Sequence, residues 1–206
     1  MLRFHELSPS PNNLKVRMAL RFKGIDFEAI SVDPAHRSPL VKVSGQELSP
    51  VIEDRGIVLN DSEAILYYLD ANYPDTPRLQ PRHREGRKAC DAWKLRIDQT
   101  VAAHWLPVFL YGIRRRQEPD PAAAERFRQA LDHLEDELGE GTSFHDDPEM
   151  AICDLRVAEW AVYALPGDGL VERVRLFAKF RDHFGVDPAR LPNLTRFLQA
   201  WNERSA

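Results

Sequence analysis

Residues 48–69, LSPVIEDRGIVLNDSEAILYYL, decide the fold, because they combine a turn, two short strands and the start of a helix. The Ser-Pro pair at 49–50 ends whatever precedes it. Two runs of strand-forming residues, 51–53 and 57–59, are separated by Asp-Arg-Gly, which predicts a β-hairpin. The triplet Asn-Asp-Ser at 60–62 then supplies helix-capping chemistry, and the apolar residues after it recur with helical spacing.

The proline at the entrance of the first strand indicates a ligand-binding edge. Proline is tolerated at the first residue of a strand, and the peptide bond before a proline can adopt the cis form. If Pro50 is cis, the main chain of Ser49 turns outward, with its N–H and C=O free to pair with an extended peptide. The N-terminus of the next helix, with Asp61 and Ser62, points toward the same place. The stretch therefore predicts a site for a small peptide that carries a carboxylate.

Composition indicates an ordinary globular protein. The 206 residues are 43% hydrophobic and 29% charged, and the formal net charge of -4 gives no reason to expect nucleic acid or an anionic membrane as a partner. No apolar run approaches the roughly 18 residues of a membrane span, and we expect no signal peptide, because residues 1–4 already read as the beginning of a strand. Cys90 and Cys153 lie far apart in helical patterns, so we expect reduced thiols and a cytoplasmic location.

The residues before the hairpin predict a β-α-β unit. Residues 2–7 and 26–32 predict strands, and a turn signal at 8–13 leads into an apolar helical stripe at 14–22. With the hairpin and its helix, the order becomes β-α-β-(α)-β-β-α. Since such a crossover is right-handed, its first loop lies at the carboxyl ends of the strands, where ligands bind, and beside the Pro50 turn.

This loop and the hairpin resemble the thioredoxin-like domain of cytosolic glutathione transferases. Redox members of that fold place a cysteine-proline pair at the start of the first helix, and Ser10-Pro11 occupies this frame in the sequence SPNNLKVR. The frame is similar to that of serine-type transferases of the zeta class, and its SPN triplet resembles the TPN of bacterial nu-class enzymes. The run DSEAILYYLD is similar to the second half of the domain.

The resemblance implies that the loop activates a sulfur. The hydroxyl of Ser10, with an N–H of Asn12 or Asn13, would donate hydrogen bonds to glutathione and lower the pKa of its thiol, which is normally about 8.5. Ser8 is an alternative donor, because two Ser-Pro pairs lie in tandem. A simpler interpretation is that these residues only cap a helix.

The resemblance also implies how glutathione is held. The main chain of Ser49 beside Pro50 would pair with the peptide. Ser62 would bind the γ-glutamyl carboxylate, while Asp61, which replaces the family's usual Glu or Gln, would accept a hydrogen bond from the amino group. A second interpretation of the same residues is a helix cap at Asn60 or Asp61, with Glu63 completing a capping box.

The residues after the hairpin helix predict an all-helical second domain. Three prolines in residues 73–81 end that helix, so we divide the chain into domains at 1–76 and 82–206. Residues 150–165 form the most apolar helix, which we expect at the centre of the bundle. Helical periodicity predicts the segments 82–112, 119–138, 150–165, 170–184 and 192–203.

The helical half also resembles the family, so the expected fold class is an α/β thioredoxin-like domain followed by an all-α bundle, the glutathione transferase fold. The family's central helix begins with a Ser or Thr cap three residues before Asp. Asp154 occupies that position here, whereas Ala151 replaces the cap. His145, Asp146 or Asp147 are alternative caps if the helix begins earlier.

An acceptor pocket is expected on the first long helix, where it meets the Ser10 loop. Its candidate walls share one helix face by spacing, although core packing explains the apolar ones equally well. The sequence contains neither metal-ligand spacing nor a phosphate loop, so we expect no metal. The candidate walls are Trp93, Ile97, Thr100, His104 and Tyr111.

We therefore expect an enzyme that binds reduced glutathione as co-substrate, stabilises its thiolate through Ser10 and transfers it to a small electrophilic or disulfide substrate. Conjugation, disulfide reduction and isomerisation of a cis-enedione acid are the possible reactions, with a role in detoxification. The resemblance also implies a homodimer. The alternative is a non-catalytic binding module. It is favoured by the departures at Asp61, at Ala151 and at Ser49, where the family most often has Val.

Overall fold

The chain separates into two units, Met1–Gln80 with Trp201–Ala206 and Pro81–Ala200. Whether the boundaries 1–76 and 82–206 delimit functional domains stays a prediction. The computed structural model describes residues 1–8, 10–105, 121–141, 143, 151–167, 171–172 and 174–204.

A four-stranded mixed sheet with the order β2-β1-β3-β4 organises the first unit. β1 (Leu2–Glu6) pairs in parallel with β2 (Phe27–Ser31) and antiparallel with β3 (Val51–Asp54). β3 forms a hairpin with β4 (Ile57–Leu59). The predicted hairpin and the predicted order of strands and helices along the chain are confirmed.

Two helices connect these strands, and a third follows the last strand. They are α1 (Pro11–Phe22), α2 (Ser38–Ser44) and α3 (Ser62–Asn72). α1 ends at a Lys-Gly pair in which Gly24 has a φ of 64°, because a left-handed residue is needed where the chain leaves the helix. α1 packs against α3, so the two helices that follow the predicted ligand loops are neighbours.

A buried carboxylate fixes the hairpin to α3. The turn residues Arg55 and Gly56 have φ values of 50° and 82°, which is typical of a tight hairpin turn. Asp54, just before the turn, accepts hydrogen bonds from the hydroxyls of Tyr68 at 2.9 Å and Tyr73 at 2.7 Å, both at its Oδ2. Burial, and then the hydrogen bond to Asp54, raise the pKa of Tyr73 to about 12.

A second buried carboxylate fixes the segment after α3. Asp70 accepts hydrogen bonds from the N–H groups of Leu79 and Gln80, each at 2.9 Å. The ammonium of Lys23, which is 1% exposed, lies 2.8 Å from Asp70 and also donates to the carbonyl of Pro77. These bonds hold a proline-rich segment that has no helical hydrogen bonds of its own.

The described part of the second unit is helical. α4 (Arg84–Ile97) continues into a π-helical turn, Asp98–Ala102, within the predicted segment 82–112. Residues 106–120, which include Tyr111, lie outside the described residues. In the described part of the chain, no helix combines the length and apolarity needed to cross a membrane. The remaining helices are α5 (Pro121–Leu138), α6 (Ile152–Ala164), α7 (Arg175–Phe184) and α8 (Pro192–Arg204).

α6 begins without a capping side chain. Ala151 stands at its N-cap, as the sequence indicates, and Asp154 accepts a hydrogen bond from the N–H of Ala151 at 2.7 Å. The hydroxyl of Ser143 donates to the same carboxylate at 3.0 Å. Asp154 is 0% exposed, so both donors are paired inside the unit. The alternative caps at 145–147 lie outside the described residues.

The carboxylate of a neighbouring helix caps α8. Glu135 on α5 accepts hydrogen bonds from the N–H groups of Asn193 at 2.7 Å and Leu194 at 2.8 Å. These are donors in the first turn of α8, which have no partner inside their own helix. The cap therefore joins two helices that are 58 residues apart in the chain.

The two cysteines meet in the interior of this unit. Cys90 on α4 and Cys153 on α6 are both buried and free. A hydrogen bond with the Cys90 thiol, and then burial, raise the pKa of the Cys153 thiol far above its usual value. Because the thiolate is the reactive form, we expect the Cys153 thiol to resist alkylation in the folded protein.

We predict that Tyr73→Phe lowers the free energy of unfolding by about 1 kcal/mol at neutral pH, because a hydrogen bond to Asp54 is lost. The folded pKa of Tyr73 is raised to about 12. Its contribution is therefore complete below the unfolded value of about 10 and is lost as the pH rises through the folded value. Urea unfolding of the wild type and of Tyr73→Phe, at pH values from about 10 to about 12, measures how the difference between their free energies of unfolding decreases as the pH rises. The exposed Tyr67→Phe is the control. A pH-independent difference would contradict the prediction.

We predict that Asp154→Ala lowers the free energy of unfolding by about 3 kcal/mol, because the buried N–H of Ala151 and the half-buried hydroxyl of Ser143 lose their acceptor. Ser143→Ala, which removes a single donor, should cost about 1 kcal/mol. Chemical denaturation of both variants measures the two costs. Equal losses in the two variants would show that Asp154 does not organise the start of α6.

Candidate functional site

Ser10 stands at the N-cap of α1 with its hydroxyl unused by the helix. Its main-chain carbonyl accepts hydrogen bonds from Asn13 at 3.1 Å and Leu14 at 3.0 Å, and its N–H donates to Leu7 at 2.9 Å. Its side chain makes no capping hydrogen bond, although serine is a preferred capping residue. The interpretation of Ser10 as a side-chain cap is therefore not supported. Ser10 is half-buried, whereas Ser8 is exposed.

Two consecutive asparagines connect this loop to the other predicted binding segments. Asn13 is buried; its Oδ1 accepts a hydrogen bond from the N–H of Leu7 at 3.1 Å, and its Nδ2 donates to the hydroxyl of Ser49 at 3.2 Å. Asn12 is exposed, and its Oδ1 accepts a hydrogen bond from the hydroxyl of Ser62 at 3.3 Å. The proximity expected from topology alone is confirmed by these contacts.

The Ser49–Pro50 peptide bond is cis. Pro50 is buried and Ser49 is half-buried. The pairing between β1 and β3 begins at Val51, which lies opposite His5. The main chain of Ser49 therefore lies outside the strand ladder, next to the hydroxyl that Asn13 contacts.

Asp61 caps α3, and this corrects the predicted capping box. Its Oδ1 accepts a hydrogen bond from the N–H of Ala64 at 2.8 Å, so the third helical residue is Ala64 and not Glu63. Glu63 instead forms an ion pair with Lys15 at 3.0 Å. One carboxylate oxygen of Asp61 is thus used by the cap, and Ser62 beside it is half-buried.

Two of the predicted acceptor residues lie together in the second unit. Thr100 and His104 line a cleft of about 340 Å³ between the α4 segment and α5. Ile97 is 0% exposed, and the guanidinium of Arg96 lies 5.0 Å from the ring of Trp93. The other residues that line the cleft are Arg96, Arg126, Gln129, Ala130, His133 and Leu134.

Metal ligation has no candidate within the described ranges. They contain no group of three or more His, Cys, Asp or Glu side chains that could hold an ion. The polar cluster formed by Ser10, Asn12, Asn13, Ser49, Asp61 and Ser62 offers hydroxyl and amide donors, main-chain N–H groups at helix starts and one carboxylate. Such a set suits an anionic peptide better than a cation.

We predict that Asn13 is required for stability. The sequence alone suggested it only as a donor to sulfur. Asn13→Ala should lower the free energy of unfolding by about 2 kcal/mol, since the N–H of Leu7 loses its acceptor. Ser49→Ala removes only the weaker of the two contacts and should cost less. The adjacent, exposed Asn12→Ala should change stability by no more than about 0.5 kcal/mol. Equal effects at Asn12 and Asn13 in urea unfolding would refute this assignment.

Known proteins share both the sequence pattern and the fold. A family model for the glutathione S-transferase N-terminal domain matches residues 4–77. The stringent starvation protein A homolog of Coxiella burnetii is 29% identical over 152 residues, which is 71% of this chain and 68% of that protein. The crystal structure of rice GST1 in complex with glutathione has a TM-score of 0.75 and 20% identity, covering 98% of this chain and 87% of the rice chain.

One relative is similar along nearly the whole chain. Glutathione S-transferase Z2 of Arabidopsis thaliana is 39% identical over 201 residues, which is 93% of this chain and 82% of the plant protein. The thioredoxin-like sheet and the helical second unit agree with the fold of the rice structure. The chain therefore belongs to the cytosolic glutathione transferase superfamily.

Proposed function

We propose that this protein binds reduced glutathione at the polar cluster, stabilises its thiolate with the hydroxyl of Ser10 and transfers the glutathionyl group, through its sulfur, to an electrophile or a disulfide. The observation that carries the proposal is the position of Ser10 at the start of α1 with a hydroxyl that makes no capping bond. A helix start that does not consume its own hydroxyl has a donor left for a ligand.

The chemistry follows from the charge that develops on sulfur. Each hydrogen bond donated to a thiolate favours the charged form and lowers the pKa of the thiol. The N-terminus of α1 adds roughly half a positive charge at the same place. Ser10 thus acts as a donor and not as a nucleophile, and Asn12 is a second candidate donor through its amide. The activated sulfur then attacks the electrophilic carbon, or one sulfur of a disulfide, and displaces the leaving group.

The other residues of the cluster suit the ends of a glutathione molecule. The main chain of Ser49, beside Pro50, lies outside the strand ladder and can pair with the cysteinyl part of the peptide. The N–H of Ser62 can hold the γ-glutamyl carboxylate at the start of α3, and its hydroxyl can join once it exchanges Asn12 for the ligand. The second oxygen of Asp61 is left for the amino group, since the first one caps α3. The rice structure with a similar fold is itself a complex with glutathione.

The acceptor site and the assembly remain separate proposals. We place the acceptor near Thr100 and His104, which share one cleft. Trp93 and Ile97 stay predictions from the sequence. A homodimer, isomerisation of a cis-enedione acid and a detoxifying role rest on the family alone.

A non-catalytic binding module is the second candidate. One relative is named for stringent starvation and not for a transferase activity, and it covers most of this chain. Asp61 is also shorter than the Glu or Gln usual in the family. In this case glutathione would bind without any turnover.

We predict that Ser10→Ala lowers kcat/KM by about 100-fold to 1000-fold, which is typical when a donor to a developing anion is removed. The dissociation constant for glutathione, from calorimetry, should change by less than about 3-fold, because the main-chain contacts persist. Assays use an aryl halide and a small dialkyl disulfide. The exposed Ser8→Ala is the matched control and should behave as wild type.

The outcomes separate the two candidates. Binding by the wild type without turnover of either substrate would favour the module. Turnover that survives in Ser10→Ala but fails in Ser8→Ala would move the donor role to Ser8. Absence of glutathione binding in the wild type would overturn the proposed function altogether.

A further inference from the structure

A buried lysine connects the two helices that begin at the polar cluster. Lys15 on α1 is 1% exposed, and its ammonium is 3.0 Å from a carboxylate oxygen of Glu63. Glu63 is the second residue of α3 and is 35% exposed. The ion pair therefore joins the two helices whose N-termini carry Ser10 and Ser62.

The Lys15–Glu63 ion pair lies beside a contact of the polar cluster, where α1 packs against α3. The hydroxyl of Ser62 donates to Asn12 at 3.3 Å, and the next residue of α3 pairs with Lys15. α1 and α3 are thus connected at two successive positions of α3. One connection is a hydrogen bond at the exposed edge, and the other is an ion pair that reaches into the interior.

The charges at the start of α3 pose a problem for an anionic ligand. Asp61 at the N-cap and Glu63 in the first turn are both carboxylates, and both offset the positive end of the helix dipole. A ligand carboxylate at the N–H of Ser62 would be repelled by both. The ammonium of Lys15 opposes the charge of Glu63, and because it is buried, its field is screened less by salt than that of a surface lysine.

We propose that Lys15 is a positioning residue for the ligand carboxylate: it compensates the charge of Glu63 and so keeps the start of α3 attractive to an anion. This inference rests on the proposed function, since it assumes that the γ-glutamyl carboxylate binds at Ser62. A stabilising role alone is a weaker explanation, because buried ion pairs contribute little net stability compared with apolar replacements.

The test measures glutathione affinity by calorimetry in variants whose folding is verified by circular dichroism. Lys15→Met should raise the dissociation constant about 10-fold, because the Glu63 carboxylate loses the ammonium that opposes its charge. Lys15→Arg keeps the charge and should remain within about 3-fold of the wild type. The double variant Lys15→Met with Glu63→Gln removes both charges and should recover an affinity within about 3-fold of the wild type.

A buried lysine outside the cluster supplies the matched control. Lys23 at the other end of α1 is also 1% exposed and paired with a carboxylate, that of Asp70. Lys23→Met should lower the melting temperature without changing glutathione affinity in the folded protein. If Lys15→Met does not fold, the affinities of Lys15→Arg and of the double variant, each compared with the wild type, still test the inference.

The results distinguish this inference from the proposed function. If the wild type does not bind glutathione, the proposed function fails. If the wild type binds and Lys15→Met binds equally well, the role of Lys15 is wrong while the function stands. A double variant that stays as weak as Lys15→Met would also overturn the inference, because charge compensation would then not explain the loss.

Discussion

The hydrogen bonds of two adjacent asparagines hold together the three segments from which the site is built. Asn13 connects the end of β1 to the proline turn, and Asn12 connects the first turn of α1 to the start of α3. At these contacts none of the three segments belongs to a strand ladder, so the sheet alone does not fix the distances between them. The buried Asn13 has two partners of opposite hydrogen-bonding type, which also fixes the orientation of its amide.

Buried carboxylates perform the corresponding task elsewhere in the chain. Asp54 receives two tyrosine hydroxyls, Asp70 receives a lysine and two main-chain donors, and Asp154 receives a main-chain and a serine donor. Glu135 caps α8 from another helix. A single acceptor group with several lone pairs can satisfy several donors at the ends of helices and in turns. The fold thereby pairs polar groups at places where regular secondary structure stops.

Local features of the sequence predicted most of the fold, because their causes are local. The hairpin at Arg55-Gly56 needs two positive φ angles, and the Lys-Gly stop of α1 needs one, so residue type is informative there. The capping box at Glu63 was wrong because the cap lies one residue later than the box requires. The assignment of Ser10, Ser49 and Ser62 to the site came from their frame in the sequence and stays a prediction. The contacts of Asn13 with Ser49 and of Lys15 with Glu63 were not predicted, because these partners lie 36 and 48 residues away.

The two contacts of Asn13 differ in how strongly they restrict the residue type of the partner. The N–H of Leu7 is main chain, so any non-proline residue at position 7 supplies the same donor. The contact with Ser49 depends on a side chain, and a residue without an acceptor at position 49 would leave the amide of Asn13 unsatisfied in the interior. Substitutions at positions 13 and 49 are therefore epistatic, because a change at one of them restricts which residues the other can accept, although 36 positions separate them.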